Sequence, residues 1–166
     1  MERRDLFTYF FKPKQKEVKE IIIRPPYFGD EFSFDKDCQN CEGICANFCQ
    51  EKIIVIQDDK TPKIDFSFGG CTYCDECAKV CPLGVLSIEN KSIIKATVKI
   101  ENDKCMSWNN VMCFSCKDPC LEDAIKFNGI FRPTIDEEKC TSCGFCIGVC
   151  PSLAITVSEV KNNSKK

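Results

Sequence analysis

Apolar residues in this chain come in short runs of three or four, and almost every run flanks a group of cysteines. Ile53-Ile54-Val55-Ile56, Val85-Leu86-Ser87-Ile88, Ala124-Ile125-Lys126-Phe127 and Ala154-Ile155-Thr156-Val157 each follow such a group. Phe32-Ser33-Phe34, Lys63-Ile64-Asp65-Phe66, Thr97-Val98-Lys99-Ile100 and Thr134-Ile135-Asp136 each precede one. Runs this short, β-branched or alternating, predict strands. Turn formers lie between them, as in Asp58-Asp59-Lys60-Thr61-Pro62 and Asn128-Gly129, so neighbouring strands close into hairpins. The pattern predicts four repeated units, each a cysteine loop, a short helical turn and half a hairpin. The fold class is α+β, with little apolar core of its own.

The cysteines then change the picture. The most regular group is Cys140-x2-Cys143-x2-Cys146-x3-Cys150-Pro151, the spacing of a bacterial ferredoxin loop around a 4Fe-4S cubane. Three thiolates two residues apart can wrap one cluster, and the fourth reaches a neighbouring one. Pro151 turns the chain away. Gly144 and Gly148 are expected to let backbone approach the inorganic sulfur. Cys71-x2-Cys74-x2-Cys77-x3-Cys81-Pro82 repeats the pattern. Two further runs are irregular: Cys38-x2-Cys41-x3-Cys45-x3-Cys49, without a following proline, and Cys105-x7-Cys113-x2-Cys116-x3-Cys120. The insert from Met106 to Met112 carries the only tryptophan, Trp108, expected to shield the third cluster. A three-iron cluster remains open at the irregular runs. Zinc fits worse, since four-cysteine zinc knuckles use paired C-x2-C hooks.

All sixteen cysteines are therefore candidate metal ligands, for up to four 4Fe-4S clusters. Crossover of the fourth cysteine pairs the runs consecutively or in a nested order. The intervals between runs hold 21 residues (50–70), 23 (82–104) and 19 (121–139). The middle one is longest and contains Glu89-Asn90-Lys91-Ser92, which favours consecutive pairing. The ligand sets are then Cys38, Cys41, Cys45 with Cys81; Cys71, Cys74, Cys77 with Cys49; Cys105, Cys113, Cys116 with Cys150; and Cys140, Cys143, Cys146 with Cys120. Nested pairing changes only the fourth member of each set. The expected architecture is a basic, aromatic arm (1–28), two tandem ferredoxin-like 2×4Fe-4S modules with short hairpins and helices (29–92 and 93–160), and a solvated tail (161–166).

Composition narrows the function classes. Histidine is absent, which excludes histidine-held haem, Rieske centres and mixed Cys–His zinc sites. It also removes the commonest general base, and no hydrolytic or acid–base site is apparent. The expectation is a redox or assembly protein, not an enzyme. The formal charge is −2, and four ligated cubanes would bring it to about −10, so nucleic acid is not an expected partner. The arm runs the other way: Arg3, Arg4, Lys12, Lys14, Lys16, Lys19 and Arg24 stand against Glu2, Asp5, Glu17 and Glu20. Its Arg3-Arg4-Asp5-Leu6-Phe7 start has a twin-arginine flavour, but Lys12-Pro13-Lys14 follows where an export signal has a long apolar segment. The expected location is the cytoplasm, where unpaired thiols serve as metal ligands. Arg24-Pro25-Pro26-Tyr27 reads as a stiff lead-in to the core.

These features together resemble the NapF ferredoxin-type accessory proteins of periplasmic nitrate reductase systems. The resemblance rests on the Arg3-Arg4-x-Leu6-Phe7 start, Arg24-Pro25-Pro26-Tyr27, the order of the four runs, and above all the third run through Ala124-Ile125-Lys126-Phe127. The first run departs from the pattern by its extra residue and missing proline. The resemblance implies a cytoplasmic 4Fe-4S protein that contacts the precursor of the catalytic molybdenum subunit and takes part in its maturation before export. The alternative is an electron carrier in a quinol-to-nitrate-reductase chain, with a membrane-bound redox partner.

Overall fold

The computed structural model describes residues 22–159. The double-arginine start, the aromatic stretch from Leu6 to Phe11 and the tail 161–166 lie outside the described residues.

Among the described residues, six short strands form three antiparallel pairs. β1 (Ile54–Ile56) and β2 (Pro62–Ile64) make one hairpin, with Ile54 opposite Ile64. β4 (Ile125–Asn128) and β5 (Phe131–Ile135) make another across Gly129, which takes the left-handed conformation a tight turn needs (φ 66°). β3 (Ala96–Ile100) pairs with β6 (Ile155–Glu159), from Ala96 opposite Glu159 to Ile100 opposite Ile155. Thus in the second half a flanking pair (β3, β6) encloses two cysteine runs and a central hairpin. The first half has the same plan in reduced form. Its hairpin is β1–β2, and its flanking pair is a single bridge between Phe28 and Leu86. The Ser87 N–H extends that bridge by donating to the Tyr27 carbonyl at 2.9 Å.

The helices are single turns: α1 (Phe32–Asp37), α2 (Ile44–Phe48), α3 (Glu76–Lys79) and α4 (Phe145–Gly148). The last three follow the first, second and fourth runs' leading cysteines, as the repeat predicts. Three expectations need correction. Phe32-Ser33-Phe34 is helix, not strand. Its alternation is that of a strand, but Asp30 opens a turn by accepting the Phe32 N–H on Oδ1 and the Ser33 hydroxyl on its carbonyl. This local bonding competes successfully with extension. Val85 to Ile88 is not a full strand: Leu86 alone bridges, and Ile88 begins a 3-10 turn (Ile88–Asn90). The third run builds no α-helix; its long insert is a chain of turns.

The apolar core is also larger than expected, and it is unevenly divided. The first cluster gathers Tyr27, Phe34, Ile53, Phe66, Leu86 and Ile94 among others. The second holds Val98, Cys116, Ile125 and Ile155. The Arg24–Tyr27 lead-in accounts for much of the difference. Pro25 and Tyr27 are fully buried, and the Arg24 guanidinium donates to Thr61 Oγ1 at 2.8 Å and to the Pro62 carbonyl at 2.9 Å. It also lies 4.9 Å from the centre of the Phe34 ring. Phe34 meets Phe28 edge-on at 5.2 Å. Phe34→Ala should therefore cost about 3–5 kcal/mol, read from denaturant unfolding of the anaerobic holoprotein. A loss below about 1 kcal/mol, the level of an exposed substitution, would show that this ring does not anchor the core.

Candidate metal centres

Each cysteine loop is wound by residues in left-handed backbone. In the second run Tyr73 (φ 53°) and Asp75 (φ 66°) flank Cys74; in the fourth, Ser142 (φ 56°) and Gly144 (φ 86°) flank Cys143. Such conformations cost non-glycine residues about 1–3 kcal/mol each. They curl the loop so that successive thiols turn to one side. The extra residue of the first run is absorbed the same way, by Gly43 (φ 72°), where an added Cβ would strike the Ile56 side chain at 2.6 Å.

The loops converge four thiols at a time. Cys49, Cys71, Cys74 and Cys77 line one cavity. Cys120, Cys140, Cys143 and Cys146 line a second. Cys105, Cys113, Cys116 and Cys150 line a third. The remaining four are also neighbours: Cys38 and Cys45 each feel the charges of Cys41 and Cys81. In the three cavities the leading cysteines of one run meet the fourth of its consecutive partner. Among the described residues no group of three or more cysteine or acidic side chains is placed to hold a single metal ion.

The donor sets suit a cationic guest. Burial pushes the Cys77 and Cys146 thiols up to about 12, and their cysteine neighbours add to the shift. The same causes push Cys45 up to about 11, and burial raises Cys71 and Cys116 to about 11. Four ionised thiols cannot share such a cavity unless metal replaces their protons. Backbone amides already point at sulfur: Tyr73 N–H donates to Cys71 Sγ (3.4 Å), Leu86 N–H to Cys81 Sγ (3.4 Å) and Ala154 N–H to Cys150 Sγ (3.3 Å). Bonds of this kind to thiolate help set the potential of an iron–sulfur site.

The structure changes the reading of three residues. An added Cβ at Gly144 would come within 2.0 Å of the Phe66 ring, and one at Gly148 would lie 3.0 Å from the Ser67 carbonyl. Both glycines make room for the first half of the chain, and Gly144 also lines the second four-thiol cavity. Trp108 does not line the third cavity. Its Nε1–H donates to the Pro133 carbonyl at 3.0 Å, and Arg132 lies over its ring at 5.8 Å. It pins the insert to β5, whose Pro133 does line that cavity. Asn109 holds the other end of the insert, donating to the carbonyls of Asp103 and Cys105 at 3.1 and 2.9 Å.

Two aromatic residues lie at the second site without a forewarning in the cysteine spacing. Tyr27 walls the cavity beside Asp75, whose carboxylate pairs with Lys91 at 2.9 Å. Burial and the facing Asp75 push the Tyr27 hydroxyl up. Tyr73 reaches out of the loop: its hydroxyl donates to the Thr141 carbonyl and accepts from the Ile94 N–H at 3.1 Å.

Comparison with known proteins agrees with this geometry. A 4Fe-4S dicluster domain matches residues 37–85, the span of the first two runs, and a 4Fe-4S binding domain matches residues 133–156, around the fourth. The chain binds 4Fe-4S clusters. Over 138 residues it is 33% identical to the ferredoxin-type protein NapF of Escherichia coli (strain K12), covering 81% of this chain and 83% of that protein. It is 30% identical over 147 residues to the ferredoxin-type protein NapF of Haemophilus influenzae, covering 86% and 82%. The ferredoxin-type protein NapG of Escherichia coli (strain K12) is 28% identical over 154 residues, covering 78% and 66%. With four cysteine runs folded into four-thiol cavities, and this identity sustained across most of both chains, the protein belongs to the NapF family of ferredoxin-type iron–sulfur proteins.

Proposed function

We propose that the chain carries four 4Fe-4S clusters in two tandem ferredoxin-like modules, residues 29–92 and 93–160, with the consecutive ligand sets given above. In this reading it is a cytoplasmic accessory factor that binds the precursor of the catalytic molybdenum subunit of a periplasmic nitrate reductase and assists its maturation before export. The observation that carries the reading is the convergence, in three cavities, of a leading cysteine triplet with the fourth cysteine of its consecutive partner run. Kinship to NapF supports the place in a nitrate reductase system.

The bound clusters supply one-electron transfer. The residues of the chain do the rest. The thiolates hold the clusters, and Tyr27, Ile54 and Pro133 exclude water from the cavities. The amides of Tyr73, Leu86 and Ala154 bond the sulfurs. Among the described residues no helix is long and apolar enough to cross a membrane, so contact with a quinol-oxidising complex would be a docking contact. That second reading, a plain electron carrier toward the reductase, uses the same ligands and draws support from the kinship to NapG.

Anaerobic co-purification separates the two. The precursor subunit should co-elute with this protein, and its iron content should fall when this protein is omitted. Deleting residues 1–19 should abolish co-elution while leaving electron transfer to an artificial acceptor intact. Precursor that fills with iron equally well alone, and ignores this protein on the column, would rule out the maturation role.

A further inference from the structure

The glycines of the fourth run face the first half of the chain, and the contact around them is dense. Cys71 N–H donates to the Cys143 carbonyl at 2.7 Å. A ligand-bearing loop of one half is thus bonded, backbone to backbone, to a ligand-bearing loop of the other. Gly70 lies so close that an added Cβ would meet the Phe145 amide at 2.5 Å and the Cys143 carbonyl at 2.7 Å. Tyr73 bonds across to Thr141. Ser142, 4% exposed, donates its hydroxyl to the Ala96 carbonyl at 2.6 Å, fixing the fourth run to the start of β3, where Ala96 packs into the first apolar cluster.

The within-half neighbours complete an order. α2 carries Cys45 of the first site and runs directly into Cys49, which lines the second; α4 carries Cys146 of the fourth site and runs directly into Cys150, which lines the third. We propose that Tyr73, Ser142 and the glycines Gly70, Gly144 and Gly148 form a fixed joint that seats the second four-cysteine site against the fourth, so that the four sites run in the order first, second, fourth, third. This inference rests on the four-cluster reading above.

The order explains where the irregular runs fall. The two regular runs are the inner ones, and each must present one particular loop shape to the other. Neither can accept an inserted residue without moving a backbone that the joint holds at van der Waals distance. The first and third runs lie at the ends and bear no such constraint. There the chain tolerates an extra residue at Gly43 and a long insert at 106–112, and there it leaves Phe48 and Met112 more than half exposed. A linker of flexible beads would impose no such difference between runs.

The test uses anaerobic holoprotein and the variant Gly148→Leu. Gly148 is the last residue of α4, and a side chain there would wedge against the Ser67 and Phe66 carbonyls. Iron is counted first. Wild-type iron well below about sixteen atoms per chain would refute the four-cluster reading itself. With iron full, hydrogen exchange of the peptide containing the Cys71 amide should quicken at least tenfold in Gly148→Leu. The spin–spin broadening of the reduced clusters in electron paramagnetic resonance should weaken at the same time. Exchange and broadening both unchanged at full iron would overturn the joint. If Gly148→Leu fails to load iron, Tyr73→Phe decides by the same two readings. One lost cross-bond should speed exchange about fivefold, and no change would again overturn the proposal.

Discussion

Stripping iron from the anaerobic protein with a chelator should abolish its cooperative unfolding transition and most of its near-ultraviolet dichroism. The elements alone are too slight to persist. The helices are four to six residues long, far below the length at which an isolated helix holds in water. Every sheet has two strands, and a lone two-stranded pair is marginal. The loops add backbone strain at Tyr73, Asp75 and Ser142, which something must hold in place. Metal ligation does so, and its binding free energy is folding free energy, on the order of 10 kcal/mol per structural site. The loss should be uneven. The first half retains a packed core around Tyr27, Phe34 and Ile94, whereas the second has Val98, Ile125 and Ile155 with a cysteine among them. Hydrogen exchange of the apoprotein should therefore keep some protection within 23–66 and lose nearly all within 97–157. An apoprotein that still melts in one sharp transition would show that the apolar cores suffice without metal. Return of protection on adding iron and sulfide would separate metal loss from damage.

That unevenness also marks what could be read from the residues alone. Cysteine spacing is a short-range code: two intervening residues place thiols on one curled loop wherever the loop sits, so the chemistry was legible. The hairpins at Asn128-Gly129 and Asp58–Pro62 were legible for the same reason. The alternation Phe32-Ser33-Phe34 misled because a strand needs a partner, and Asp30 offered a closer one. Tyr27 looked like part of a lead-in; only the folded chain shows it buried against Asp75 and the second site. Gly144 and Gly148 were legible as places of close approach, but not what approaches. Phe66 and Ser67 lie more than seventy residues earlier, and no local pattern carries that distance. The pairing of runs stood between the two cases. Connection length favoured consecutive partners, and three cavities are each lined by the four cysteines of one such set.

Cys146→Ala tests the pairing at a ligand that lies on α4 between two sites. Cys146 sits in α4, its thiol pushed up to about 12 by burial and then by Cys143, Cys140, Cys116 and Cys120. Three of those neighbours share its own site, and the other, Cys116, belongs to the third. Alanine removes one thiolate of four, and the carboxylate among the residues that line the cavity is Glu122, which belongs to a different loop. The fourth cluster should be lost or reduced to a three-iron remnant, with iron falling by about one to four atoms of roughly sixteen. The effect should not stop there. Cys150, which lines the third cavity, follows Cys146 by a single helical turn, and its N–H is bonded to the Ile147 carbonyl at 3.2 Å. Once α4 loses its anchor, Cys150 loses its position, so the third cluster should bleach faster in air than in the wild type. The first site shares no ligand segment with α4 and should keep its iron. Under nested pairing the injury would fall differently. Cys150 would then complete the first site, and bleaching would quicken there while the third cluster stayed intact. Comparing Cys146→Ala with Cys77→Ala resolves the two. Consecutive pairing predicts that the first variant injures the third and fourth sites and the second variant the first and second. Full retention of iron in Cys146→Ala would remove this cysteine from the ligand set altogether.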